Sequence, residues 1–286
     1  MKIRAYAKVN LALDVVGKRE DGYHELEMIM APITLHDLLY INRIDEGIEI
    51  ESNSQLLPTD ERNIMYKAAK LLIERYHIPS GVHIHIYKHI PMQAGLAGGS
   101  ADGAAVLKAM NKMFHLHLSD DELAAIGKEL GADIPFCIYE QTALVKGIGE
   151  KLEFIPQHLD CHLLLVKPKR GVSTKKSFAR LDFDHAEHPD IQRMKKGIEN
   201  NCYEDVIESL GNTLEGPSLQ MVKEIQEIKD EMLAFGFDGA LMSGSGSCVF
   251  GITRDEELLK KANDHFREKY RFVRMTQIYQ KEDETY

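Results

Sequence analysis

Apolar and polar residues alternate in short runs through the first part of the chain. Ile3 to Lys8, Leu11 to Val16, Leu35 to Ile44 and Ile48 to Ser52 carry the two-residue period of a half-buried strand. Gly17, Asp21-Gly22, Pro32 and Gly47 punctuate them. The period then lengthens. Ile64, Ala68, Leu71, Leu72 and Arg75 recur at helical spacing and predict a helix over 63–76. Residues 82–88, VHIHIYK, alternate again and predict a strand. Beyond Gly99 the residues are helix formers, with Leu107, Met110 and Met113 on one face. Ser119 with Glu122 is a capping box that opens a helix to about Leu130. LGADIPFCIYE reads as a turn, a proline and a short strand.

A strand over 160–168 opens a second section. Helices are predicted over 174–182, 189–199, 203–210 and 218–235, then strand–turn–strand in DGALMSGSGSCVFGI, a helix over 254–268 and a closing strand in RFVRMTQIY. Both sections mix strands and helices in an α+β manner, which predicts two domains, 1–155 and 156–286.

Charge narrows the function classes. The chain of 286 residues carries a net charge of −10. That argues against a general binder of nucleic acid or membrane surface, which would show a basic patch. No stretch of 18 apolar residues and no signal-peptide core is present, so no membrane partner is expected and the expected location is cytoplasmic. Cys137, Cys161, Cys202 and Cys248 are scattered and read as reduced core residues. The expected assembly is a monomer or a homodimer.

The candidate chemistry centres on residues 91–105, PMQAGLAGGSADGAA, placed between the strand at 82–88 and the helix that follows. Glycines let a ligand approach the unpaired N–H groups of a helix start, so strand, glycine-rich loop and helix together suggest a phosphate cradle. No Lys follows the glycines as in a P-loop, and Gly95-Leu96-Ala97-Gly98-Gly99 is not a dinucleotide fingerprint. A cation must come from elsewhere. Lys8 lies in AYAKVN among small and apolar neighbours, and Asn10 shares its strand face. Lys8 could hold a phosphate or substrate hydroxyl with Asn10, or could face solvent on an edge strand. Asp133, in GADIP, could position a proton or be a turn residue. Tyr23 and His24, beside the Asp21-Gly22 turn, could contact a base or lie on the surface. His83, His85 and His89 read as a strand face, so no protein metal site is predicted. SGSGS at 243–247 could approach the same ligand as the first loop.

Taken together and in order, AYAKVN, PMQAGLAGGSADGAA and LMSGSGSCVFG resemble the three motifs of the GHMP kinases. The resemblance covers nearly the whole chain. KREDGYHE at 18–25, GADIPFCIY at 131–139, VKPKRGVSTKKSF at 166–178 and NTLE at 212–215 bring it closest to the branch that phosphorylates a cytidine-diphosphate-linked methylerythritol on its C2 hydroxyl, in the non-mevalonate isoprenoid pathway.

This resemblance implies a ribosomal-protein-S5-like N-terminal domain and a ferredoxin-like C-terminal one. It implies ATP as phosphoryl donor and Mg2+ bound mainly through the ATP phosphates. The loop Pro91, Met92, Gln93, Ala94, Gly95, Leu96, Ala97, Gly98, Gly99, Ser100 and Ala101 would wrap those phosphates. Asp133 would be the base or positioner, and Lys8 would hold it ionised. Asn10 would contact the methylerythritol hydroxyls. Tyr23 would stack on cytosine, His24 would bond its edge, and Phe178 would close the other face. The departures are Tyr6 for Pro, Ala97 for Gly, Gly103 for Ala, Ser247-Cys248 in the third motif, and Ile148 where an Arg is usual. If that Arg binds diphosphate, affinity falls unless Lys146 or another cation compensates. The alternatives are a GHMP kinase acting on another small alcohol, or a diverged relative that binds nucleotide or RNA without catalysis.

Overall fold

The computed structural model describes residues 1–156 and 159–281. The strands are β1 (Lys2–Lys18), β2 (His24–Ile44), β3 (Ile48–Ser52), β4 (Gly81–Tyr87), β5 (Ala143–Gly147), β6 (Lys151–Phe154), β7 (His162–Lys167), β8 (Gly211–Asn212), β9 (Gly239–Met242), β10 (Val249–Thr253) and β11 (Phe272–Gln277). The helices are α1 (Ile64–Tyr76), α2 (Gly98–Met113), α3 (Asp120–Lys128), α4 (Ile134–Tyr139), α5 (Thr174–Ala179), α6 (Ile191–Glu199), α7 (Tyr203–Glu208), α8 (Glu215–Met221), α9 (Glu224–Phe235) and α10 (Glu256–Arg267). Contacts divide the chain into two compact units. The first is Met1–Ala7, Leu35–Pro91 and Ala97–Glu140; the second is Lys8–Thr34, Met92–Leu96 and Gln141–Tyr286. A single cut at residue 155 does not describe this division, because β1 and β2 run through both units and residues 92–96 leave the first unit and return to it.

In the first unit, β4 pairs antiparallel with the C-terminal half of β2 (Leu38 opposite Tyr87, Ile44 opposite Gly81) and parallel with β3. The alternation in VHIHIYK buries Val82, Ile84 and Ile86 and turns His83 and His85 outward, where both lie beside Glu51. Asn63 caps α1 by accepting the Met65 N–H at 2.9 Å, and Ser119 with Glu122 forms the expected capping box of α3. Helix α2 is buried along most of its length, from Ala101 to Leu107 and at Ala109 and Met110. Its Ala- and Gly-rich surface makes it narrow. A Cβ on Gly103 would stand 3.3 Å from Ile64 of α1 and 3.5 Å from Ile134 of α4.

In the second unit, β5 pairs with the N-terminal half of β2 and with β6, and β8 adds to β1 at Ala12 and Leu13. A separate antiparallel sheet has the order β11-β7-β10-β9, with α9 and α10 packed on it. The four cysteines are free; burial pushes the Cys161 and Cys248 thiols up to about 12.

Three expectations change. IPFCIY is the helix α4, not a strand, because Pro135 sits in the first turn, where its missing N–H costs nothing. The helix expected over 218–235 is two, since Val222 takes an extended conformation between α8 and α9. The runs Ile3–Lys8 and Leu11–Val16 form one strand of 17 residues that continues past Gly17, and the run Leu35–Ile44 is the end of a strand of 21 residues that begins at His24 and passes through Pro32. No described helix is long and apolar enough to cross a membrane.

Ala97, at the N-cap of α2, holds a left-handed φ of 54°. An L-residue there is strained. Ala97→Gly is therefore expected to raise the unfolding free energy by about 1 kcal/mol, measured by urea denaturation; an unchanged or lower value contradicts the strain.

Candidate active site

Strand β1 places Lys8 and Asn10 on one face, two residues apart. Lys8 is 4% exposed and Asn10 fully buried, which excludes the solvent-facing alternative for Lys8. The Lys8 Nζ donates to Asn10 Oδ1 at 2.5 Å. The backbone of the same strand holds the glycine loop: the Lys8 N–H donates to the Leu96 carbonyl at 3.2 Å. Ser243 links both. Its Oγ accepts the Asn10 N–H at 3.3 Å and donates to the Gly95 carbonyl at 3.0 Å. The Cys248 N–H adds a bond to the Ala94 carbonyl at 3.2 Å. The SGSGS turn thus approaches the first loop, and a Cβ built on Gly244 would be 3.2 Å from the Lys8 Nζ. Asn212, in NTLE, braces that turn by donating to the Met242 and Gly244 carbonyls at 2.8 Å each. Met92 and Gln93 at the loop tip are exposed.

The loop residues Pro91 and Ala97 to Ala101 belong to the first unit. Ala97 has no side chain that can cap α2, and a Cβ on Gly99 would meet nothing within 4 Å. The first-turn N–H groups of α2 are therefore suited to an anion. The neck of the loop holds an ion cluster that sequence reasoning missed. Lys88 Nζ contacts Asp102 Oδ2 at 2.6 Å and Asp37 Oδ2 as well. Burial disfavours the Lys88 ammonium, yet Asp102 and Asp37 hold it above its ordinary value; burial, with Asp37 alongside, pushes the Asp102 carboxyl well up. The available signal was a charged residue in the first turns of an otherwise Ala- and Gly-rich helix.

Asp133, also in the first unit, is the N-cap residue of α4. Its carboxylate makes no capping hydrogen bond.

The second unit brings His24 and Phe178 together. Their rings stack at 4.8 Å and 29°, and Phe183 lies 6.1 Å from His24 on a similar plane. Burial, with Lys18 nearby, holds the His24 imidazole below its ordinary value. Tyr23 is 61% exposed at the tip of the turn, where its N–H donates to Asp21 Oδ1 at 3.0 Å. Lys146 is not a spare cation in place of the Arg absent at Ile148, because it pairs with Glu27 at 2.5 Å. Segment 167–176 is better supplied: Lys169, Arg170, Lys175 and Lys176 are exposed and make no ion pair among the described residues. A polar cavity of about 690 Å³ in the second unit, lined by His188, Asn212, Thr213, Glu215 and Lys229 among others, includes none of the predicted site residues.

Residues 63–141 match the family model for the GHMP kinases N terminal domain, and residues 185–271 match that for the GHMP kinases C terminal. A 4-diphosphocytidyl-2-C-methyl-D-erythritol kinase of Clostridium novyi is 46% identical over 96% of this chain and 99% of that one. The chain belongs to the GHMP kinase family. The enzyme of the same name from Clostridium acetobutylicum is 47% identical over 96% of this GHMP kinase and 99% of its own length. A crystal structure of a 4-(cytidine 5'-diphospho)-2C-methyl-D-erythritol kinase superposes with a TM-score of 0.82 at 32% identity, covering 97% of this chain and 99% of that one. The two-domain α+β architecture is that of this GHMP kinase family.

Gly95 has a φ of +74°, and a Cβ there would lie 1.9 Å from the Ser243 carbonyl oxygen. Gly95→Ala is expected to lower the unfolding free energy by more than about 1 kcal/mol. Gly99→Ala is expected to stay within about 0.5 kcal/mol of the parent. Equal melting temperatures for the two variants would show that the Gly95 approach is not required.

Proposed function

We propose that this GHMP kinase transfers the γ-phosphoryl group of ATP to the C2 hydroxyl of 4-diphosphocytidyl-2-C-methyl-D-erythritol. The observation that carries the reading is the buried Lys8–Asn10 pair, tied through its own backbone and Ser243 to the glycine loop. The identity of 46% to a kinase of that name over nearly the full chain supports the substrate.

In this reading the loop Pro91 to Ala101 carries the ATP phosphates, with the uncapped start of α2 facing them. Asp133 takes the proton of the C2 hydroxyl as the oxygen bonds to the γ-phosphorus and the bond to the β-phosphate oxygen breaks. The Lys8 ammonium stabilises the charge that develops on the attacking oxygen. Asn10 orients the methylerythritol hydroxyls. Such a transfer asks mainly for positioning and charge stabilisation. Among the described residues no group of three or more His, Cys, Asp or Glu is placed to hold a metal ion, and Mg2+ is carried in this proposal by ATP phosphates and water.

Tyr23, His24 and Phe178 hold the cytidine end. The His24–Phe178 stack gives that end an aromatic wall, and a neutral imidazole can bond a base edge. The cations of 167–176, concentrated in a chain of net charge −10, suit a diphosphate. The partner in this reading is a small molecule, with no nucleic acid or membrane involved, in the cytoplasm.

The deciding experiment is a coupled ADP-release assay with Mg-ATP and the cytidine-linked substrate, run beside mevalonate, phosphomevalonate, homoserine and galactose. Turnover with the cytidine-linked substrate alone supports the proposal; activity confined to another alcohol discards the substrate; silence on all discards the kinase assignment. Asp133→Asn is expected to lower kcat by about 10²- to 10⁴-fold while ATP affinity holds; unchanged turnover removes Asp133 from the chemistry. Tyr23→Ala is expected to weaken the cytidine substrate by about 1–3 kcal/mol and to leave ATP unaffected. Equal weakening of both would make Tyr23 structural.

A further inference from the structure

The chain leaves the first unit after Pro91 and re-enters it at Ala97. Two carboxylates hold these two ends. Asp37, on β2, accepts the N–H groups of His89 and of Ile90 (2.9 Å for Ile90) just before the exit. Asp102 lies in α2 just after the return. Lys88 joins them, with one ammonium between Asp37 Oδ2 and Asp102 Oδ2. The cluster is nearly dry: the side chains of Lys88, Asp37 and Asp102 are 7%, 0% and 2% exposed. The ends also touch. A Cβ on Gly98 would fall 2.8 Å from Ile90 Cγ2 and 3.5 Å from Lys88 Nζ.

A buried ion cluster is a poor way to gain stability, since desolvation cancels most of its attraction. It is a good way to define one geometry, because a dry charge tolerates no misplaced partner. The Ala- and Gly-rich segment 91–101 has little side-chain packing to define its own shape. We propose that Asp37, Lys88 and Asp102 form an ionic clamp across the neck of the phosphate loop and act as positioning residues that hold the first turn of α2 ready for the ATP phosphates. The part concerning ATP rests on the proposed function; the clamp itself does not.

The test compares the parent with Lys88→Met and with the triple variant D37N/K88M/D102N, which removes all three ionisable groups and leaves no lone buried ion. Amide hydrogen exchange is read at His89, Ile90 and Ala101 to Ala104, with β7 and β10 as internal reference. Mg-ATP dissociation constants come from calorimetry and the KM of the acceptor alcohol from the coupled assay. At least ten-fold faster exchange at the loop neck, with the reference strands unchanged and Mg-ATP binding at least ten-fold weaker against an acceptor KM within two-fold, is expected for the triple variant. If Lys88→Met fails to fold, the triple variant alone decides. Unchanged exchange at the neck overturns the clamp whatever happens to the melting temperature. Faster exchange with unchanged ATP affinity overturns the positioning role. A parent protein that binds no ATP overturns the ATP part together with the proposed function, while exchange still decides the clamp.

Discussion

Burying the ammonium of Lys8 inside an apolar strand imposes conditions on everything around it. Removing a cation from water costs several kcal/mol unless polar atoms compensate. Asn10 supplies one such atom at 2.5 Å from the same strand face. The turns that come up to the strand carrying the lysine are made of small residues. Gly95 passes so close to the Ser243 carbonyl that no side chain fits, and Gly244 faces the lysine itself. Ser243 satisfies both partners with one hydroxyl, accepting from β1 and donating to the loop. Gly95 is thus required by the approach of the Ser243 carbonyl, and Gly244 by that of the Gly95 backbone and of the lysine.

The first unit answers a different demand. Helix α2 is narrow so that α1 and α4 can pack closely, and Gly103 sets that closeness. A narrow helix buried on most sides leaves Asp102 dry. The structure places Lys88 against it, with Asp37 on the other side of the ammonium. In one unit the glycine loop is laced to a strand by backbone hydrogen bonds; in the other an ion cluster lies beside its ends. Both devices reduce freedom in a segment whose composition would otherwise leave it loose. Preorganisation of this kind is what phosphoryl transfer draws on.

Much of this was legible in the residues. Alternation located β3, β4, most of β1 and the C-terminal half of β2, and the Ser119–Glu122 pair located the start of α3 to the residue. The loop stood out because five small residues in six positions have no packing purpose in an ordinary turn. The helix α4 was misread because Ile134, Phe136 and Ile138 are apolar enough for a strand, and only the position of Pro135 in the first turn distinguishes the two. The strands β5 and β6 and the two-residue β8 carried no pattern long enough to stand out.

The sequence by itself determined most of the element types, the strand–loop–helix setting of the glycine loop, the face shared by Lys8 and Asn10, and the three motifs of a GHMP kinase. These depend on near neighbours along the chain, where period and small-residue content are direct readings of geometry. Only the tertiary structure decided that Lys8 is buried, that Ser243 bridges to a strand 233 residues earlier, that His24 stacks on Phe178, and that Lys88 joins two carboxylates. Burial and ion pairing are properties of residues far apart in the chain. A lysine in an apolar run has the same local pattern whether its strand ends at the edge of a sheet or beneath a loop.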